Sequence, residues 1–311
     1  MIYSDLIETI GRTPLVELRR FGRDLPSRIV AKLDMQNPCG SVKDRLGAAL
    51  IEDAEKRGRL KPGMTIIEAT GGNTGIGLAL AAAVRGYRLI LTMPESMSQE
   101  RVALLGFLGA DVHLTPGILM NEAVAKAREL ADQLPHSWLV DQFSNAANPE
   151  LHRRTTGPEI WEDAGGDVDV FVSAVGTGGT VTGVGEYLKA KRPETRVIAV
   201  EPEGAAVLSG RGPGKHQMPG IGVGFIPHVL NQGILDDIVV VSDCEAFAAA
   251  RRLARTEGIM AGVSSGAALH AAMVEAENPR LPDRTIVVFL ADTAERYLAS
   301  ALFTAVSAQG R

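Results

Sequence analysis

Hydrophobic and polar positions alternate along this chain in two registers. Short apolar runs of four to eight residues, as in Arg28–Leu33, Thr65–Ala69, Arg88–Met93 and Asp111–Leu114, predict buried strands. Between them lie longer stretches with apolar residues three and four apart: Ser41–Arg57, Asn73–Val84, Ser98–Leu108 and Asn121–Gln133. These predict amphipathic helices, several of them stopped by a glycine such as Gly58 or Gly86. The same alternation returns further on. Strands are predicted at Val168–Val175, Arg196–Glu201, Asp237–Val241 and Thr285–Leu290, with helices at Gly183–Lys191, Asp243–Glu257 and Ser264–Ala276. Strands alternating with helices imply βαβ units and mainly parallel sheets, so the expected class is α/β. A turn-rich stretch, Asn145-Ala146-Ala147-Asn148-Pro149, divides the chain into expected domains at 1–145 and 146–311. The first 35 or so residues are expected to pair with the second domain.

Composition narrows the range of functions. A length of 311 residues suits about two domains of ~150 residues. The net charge of −5 and an aromatic content of 5% offer neither a basic patch nor stacking platforms, so nucleic acid is not an expected partner. The start, Met1-Ile2-Tyr3-Ser4-Asp5, lacks a basic and apolar leader, and no apolar run approaches the ~20 residues of a membrane span. Two distant cysteines, Cys39 and Cys244, imply no disulfide framework, and the expected setting is cytoplasmic. The six histidines lack paired-ligand spacing, so no metal site is expected.

Four stretches carry chemistry. In Asn37-Pro38-Cys39-Gly40-Ser41-Val42-Lys43-Asp44-Arg45, Ser41 is the expected cap of a helix whose first turn contains Lys43. A helix N-terminus carries partial positive charge, which disfavours an ammonium and favours the nucleophilic neutral amine. Gly176-Thr177-Gly178-Gly179-Thr180 follows an apolar strand and opens a helix, an arrangement that presents several main-chain N–H groups to an anion. It lacks the lysine of a nucleotide phosphate loop and the third glycine of a dinucleotide loop, so a small phosphate on another carrier is expected. Thr70-Gly71-Gly72-Asn73-Thr74-Gly75 is a second strand-to-helix glycine loop, with donors suited to a carboxylate. Gly262-Val263-Ser264-Ser265-Gly266 opens another helix and, on residues alone, is only a cap.

Together, and in this order, these stretches resemble the cysteine synthase family of O-acetylserine sulfhydrylases and cystathionine β-synthases, pyridoxal-phosphate enzymes of fold-type II. The resemblance covers nearly the whole chain and includes Gln142-Phe143, Thr155–Trp161, Gly220–Pro227 and Glu295-Arg296-Tyr297. It implies a tryptophan-synthase-β-like fold of two domains with twisted, mainly parallel sheets flanked by helices. It implies pyridoxal 5′-phosphate carried by Lys43, its phosphate on Gly176, Thr177, Gly178, Gly179 and Thr180, and its ring contacted by Asn73 and Ser264. The substrate carboxylate falls to Thr70, Gly71, Gly72, Thr74 and Gln142. The implied reaction is β-replacement on O-acetylserine by sulfide to give cysteine. Implied partners are a second copy in a homodimer and the C-terminal tail of serine acetyltransferase.

The chain departs from the family pattern at Gly71, usually serine, and at Asp292-Thr293-Ala294 before Glu295. The first leaves other donors or nucleophiles open as alternatives: O-phosphoserine, thiosulfate, cyanide or homocysteine. A poorly active cofactor-binding protein working through serine acetyltransferase is a further alternative.

Overall fold

The computed structural model describes residues 2–117, 120–279 and 282–307. In chain order the elements are β1 (Leu15–Glu17), β2 (Arg28–Leu33), α1 (Lys43–Lys56), β3 (Thr65–Ala69), α2 (Asn73–Arg85), β4 (Arg88–Pro94), α3 (Gln99–Phe107), β5 (Asp111–Thr115), α4 (Met120–Gln133) and β6 (Ser137–Leu139). There follow α5 (Ala147–Arg154), α6 (Thr156–Asp163), β7 (Val170–Ala174), α7 (Gly179–Lys191), β8 (Arg196–Pro202), β9 (Asp237–Val241), α8 (Asp243–Glu257), α9 (Val263–Ala276), β10 (Thr285–Leu290) and α10 (Ala301–Ser307). The class is α/β, as the alternation requires. None of the described helices is long and apolar enough to cross a membrane.

The chain forms two compact units. One comprises the segment ending at Ile10 and Asn37–Asn148; the other comprises Gly11–Gln36 and the chain from Pro149 onward. The first holds a four-stranded sheet in the order β5-β4-β3-β6, parallel throughout. The second holds a six-stranded sheet in the order β1-β2-β10-β7-β8-β9, parallel except where β1 runs against β2. The central strands are buried from end to end: β10 has no residue above a few per cent exposure. Parallel strands covered by helices on both faces read as continuous apolar runs for this reason.

Several helices depart from the sequence expectation. Helix α1 begins at Lys43 rather than Ser41. Ser41 instead folds a turn ahead of it, its Oγ accepting the Lys43 N–H at 3.2 Å and its carbonyl accepting the Asp44 N–H. Helix α7 begins at Gly179, a full turn before the expected Gly183. Three of its first seven residues are glycine, which lowers helix propensity, but tertiary packing overrides this. A Cβ at Gly183 would lie 2.1 Å from the Pro149 carbonyl oxygen, so the close approach of α5 requires glycine there. Helices α5 and α6 are not expected from the sequence: each is only eight residues long and carries a proline, Pro149 or Pro158, in its first turn, a local pattern that reads as a turn.

In the first unit the same device joins α1 to α2. A Cβ on Gly47 would stand 2.2 Å from the Gly77 carbonyl carbon, and one on Gly77 would stand 2.0 Å from the Lys43 carbonyl oxygen. The two helices therefore touch backbone to backbone. Their contact fixes Lys43 beside Gly77, one helical turn along α2 from Asn73.

Candidate active site

Two adjacent strand ends in the first unit carry its polar groups. At the carboxyl end of β3 the chain turns through Thr70, Gly71 and Gly72 and enters α2 at Asn73. Thr70 is buried, its N–H donating to the Thr92 carbonyl at 3.0 Å and its Oγ1 accepting the Gly72 N–H at 3.2 Å. At the carboxyl end of β6, the neighbour of β3, come Val140, Asp141 and Gln142. The Val140 N–H donates to the Ile67 carbonyl, keeping this segment alongside β3. Gln142 is 5% exposed, and its Oε1 accepts a 2.7 Å hydrogen bond from the Thr74 hydroxyl. Thr74 and Gln142, 68 positions apart, are thus joined directly. Lys43 is half-buried at the first position of α1, held to α2 by the glycine contact above. The carboxylate of its neighbour Asp44 accepts the Cys39 N–H at 2.7 Å, which closes the turn leading into the helix.

Gly71, where the family has serine, faces the thioether of Met97. A Cβ at this position would be 2.8 Å from its Sδ and 2.9 Å from its Cγ, so Met97 fills the space of the missing side chain.

The second unit repeats the arrangement. The loop Val175–Gly178 leaves the carboxyl end of β7 and enters α7, a 13-residue helix, at Gly179. Gly178 has φ +83°, a left-handed conformation that glycine adopts without steric cost. A Cβ at Gly176 would lie 2.1 Å from the Gly220 carbonyl oxygen. Thr177 is buried, its Oγ1 accepting the Gly179 N–H at 3.4 Å. The Thr180 hydroxyl meets His152 Nε2 at 3.2 Å, while His152 Nδ1 meets the Thr156 hydroxyl at 2.9 Å. Ser264 is the second residue of α9 and is 5% exposed. The start of α9 is tied to the end of β10: the Ala291 N–H donates to Ser265 Oγ at 2.9 Å, and the Gly262 N–H donates to the Asp292 carbonyl at 2.9 Å. Since β10 and β7 are adjacent and parallel, Ser264 and the Gly176–Thr180 loop stand at the same edge of this sheet. Ligands of open α/β sheets bind at that edge, the carboxyl ends of the strands.

The Gly176–Thr180 loop fits a phosphoryl group. Main-chain N–H groups sit at a helix start, two threonine hydroxyls flank them, and Gly176, Gly178 and Gly179 put no side chain in the way.

Two groups, Glu68 and His152, were given no role from the sequence, and a third, Asp292, stood out only as part of a departure from the family pattern. Glu68 is a single carboxyl in an apolar strand, 4% exposed, and that isolated charge was its only signal. His152 was weighed only as a metal ligand. Asp292, 1% exposed, accepts from the Tyr297 hydroxyl at 2.5 Å beside the start of α9. Burial pushes the Glu68 carboxyl up to about 7, against the N–H groups of Asp141 and Gln142 that pull it down. Raised above its unfolded value of 4.5, this group favours the folded state below pH 4.5, and that contribution is lost as pH rises toward 7. We expect wild type to lose stability relative to Glu68→Gln across that window, on the order of 3 kcal/mol at 1.36 kcal/mol per pKa unit. Denaturant midpoints of both proteins at pH 5 and pH 8 check this; a pH-independent difference between them would contradict it.

The sequence matches the family model for pyridoxal-phosphate dependent enzymes over residues 6–292. The chain belongs to the pyridoxal-phosphate-dependent enzyme family. Relatives of this pyridoxal-phosphate-dependent chain include cysteine synthase A of Salmonella typhi, 52% identical over 312 aligned positions that cover 97% of this chain and 96% of the relative. Among solved structures, a cysteine synthase of Entamoeba histolytica superposes with a TM-score of 0.95 at 45% identity, covering 97% of this chain and 91% of that one. An O-ureido-L-serine synthase superposes with a TM-score of 0.94 at 42% identity, covering 98% and 96%.

Proposed function

We propose that this protein is a cysteine synthase: sulfide replaces the acetoxy group at Cβ of O-acetyl-L-serine, releasing acetate and forming L-cysteine. The observation that carries this reading is the 52% identity to cysteine synthase A across almost the full length of both chains. Pyridoxal phosphate, when bound, supplies an electron sink that lets Cα give up its proton and Cβ its acetate.

The chain's own residues do the rest. In this reading Lys43 carries the cofactor. Its freed amine takes the proton from Cα and later returns it, a task suited to an amine held at a helix N-terminus where its neutral form is favoured. The N–H groups and hydroxyls of Gly176, Thr177, Gly178, Gly179 and Thr180 hold the phosphate. Asn73 and Ser264 orient the ring. A hydroxyl such as that of Ser264 stabilises a protonated ring nitrogen less than a carboxylate would, which favours β-substituent loss over other reactions at Cα. Thr70, Gly71, Gly72, Thr74 and Gln142 bind the carboxylate of the amino acid. Their hydrogen-bonded pairing across β3 and β6 supports that role, since a carboxylate wants several convergent donors.

One observation favours a second reading within the same chemistry. Gly71 takes the place of a serine and is backed by Met97, and the chain is also similar to an O-ureido-L-serine synthase. A nucleophile other than sulfide would then be the natural co-substrate. Steady-state kinetics with O-acetylserine and a panel of nucleophiles decide between them. Sulfide is expected to give the largest kcat/KM; a larger value for another nucleophile would move the assignment to it. The resemblance further supports a cytoplasmic homodimer that takes the C-terminal tail of serine acetyltransferase. Sedimentation of the protein alone and with the tail peptide tests both points, a monomer or an unbound peptide contradicting the respective one.

A further inference from the structure

A buried carboxylate in an otherwise apolar strand asks for an explanation, because an apolar residue would serve folding better there. In Thr65-Ile66-Ile67-Glu68-Ala69 the flanking Ile66 and Ile67 are fully buried and Glu68 lies at 4% exposure. The Asp141 N–H, one residue before Gln142, donates to Glu68 Oε2 at 3.0 Å. Asp141 has φ +54°, a left-handed conformation that few residues other than glycine adopt. The bond to Glu68 stabilises that bend. Asn148 Nδ2 donates to the Gln142 carbonyl at 3.1 Å and fixes the far side.

We propose that Glu68 is the positioning residue that sets the orientation of the Gln142 amide for the carboxylate of the incoming amino acid. This rests on the reading of Gln142 given above. A primary amide has one acceptor oxygen and two N–H donors, and the two ends can exchange places by a flip. Here the Thr74 hydroxyl donates to Oε1, which leaves the amide N–H groups to face a carboxylate as long as the glutamine is held in place. Without the Glu68 carboxylate the bend at Asp141 loses its acceptor, the glutamine is no longer held against Thr74, and a flipped amide would turn its oxygen toward a negatively charged ligand. Glu68 also anchors the backbone on which Gln142 stands, so its effect reaches the site through geometry and not through contact with substrate.

The test is kinetic and uses the holoenzyme. Glu68→Gln keeps the shape but lacks one acceptor oxygen. We expect the KM for O-acetylserine to rise about tenfold, as for loss of a hydrogen bond to a charged group, with kcat changed less than about threefold. The KM for sulfide and the cofactor content should stay at wild-type values, which a general loss of structure would not allow. Should Glu68→Gln fail to yield folded holoenzyme, Glu68→Asp carries the same test, since its carboxylate is one methylene too short to reach the Asp141 N–H. An unchanged KM for O-acetylserine in the folded variant overturns the proposal, as does an equal change in both substrates' KM. Gln142→Ala separates the two readings. If it leaves the KM for O-acetylserine unchanged, the role given to Gln142 falls and this inference with it. If it raises that KM while Glu68→Gln does not, only the positioning role of Glu68 is lost.

Discussion

Replacing Lys43 by alanine is expected to lower the rate of cysteine formation by at least about a thousandfold, the scale of losing a positioned nucleophile and acid–base group together. The fold should survive. Lys43 is the first residue of α1, where a cation opposes the helix macrodipole, so its removal returns roughly 0.3–1 kcal/mol. Alanine is also the better helix former. What holds α1 against α2 is backbone contact at Gly47 and Gly77, and that contact does not involve the lysine side chain. Melting temperature and circular dichroism of the cofactor-free variant should therefore stay close to those of the cofactor-free wild type while activity disappears. A variant keeping a tenth of wild-type activity would remove Lys43 from the chemistry.

The second large effect is expected at Gly176. The added Cβ of Gly176→Ala would stand 2.1 Å from the Gly220 carbonyl oxygen, a main-chain atom that no side-chain rotation can move aside. Either the Gly220 segment or the loop itself must shift, at a cost of about 1–3 kcal/mol for an overpacked methyl. A shift of the loop moves the N–H groups away from a phosphate. Cofactor affinity is expected to fall by roughly ten- to a hundredfold, at about 1.4 kcal/mol per decade. Fluorescence titration of the apoprotein with pyridoxal phosphate measures this directly. An unchanged affinity would show that the phosphate does not lie on this loop.

The alternation of strands and helices was plain in the sequence because parallel strands buried on both faces are written as apolar runs. The element ends were less plain. Helix α7 starts on glycines that propensity alone reads as loop; the close approach of Pro149 to Gly183 and of Ile234 to Gly185, both distant in sequence, accounts for two of them. Helices α5 and α6 are eight residues each with Pro149 and Pro158 in their first turns, so local pattern reads them as turns. Among candidate site residues, Lys43 and the two glycine loops stand out from local pattern, since a helix start and a glycine turn are short-range features. The meeting of Thr74 with Gln142 and the hold of Glu68 on Asp141, the residue before it, depend on β3 and β6 lying side by side. No spacing rule reveals that pairing. His152 was passed over because it was judged only as a metal ligand, whereas its ring lies between the hydroxyls of Thr156 and Thr180.

The proposed chemistry depends on a covalent bond between the Lys43 amine and pyridoxal phosphate. Borohydride reduction of the purified holoenzyme, followed by peptide mapping, tests it most directly. The predicted result is a single pyridoxyl-bearing peptide with the label on Lys43. A label on another lysine, or no labelled peptide from protein that turns over O-acetylserine, would contradict it.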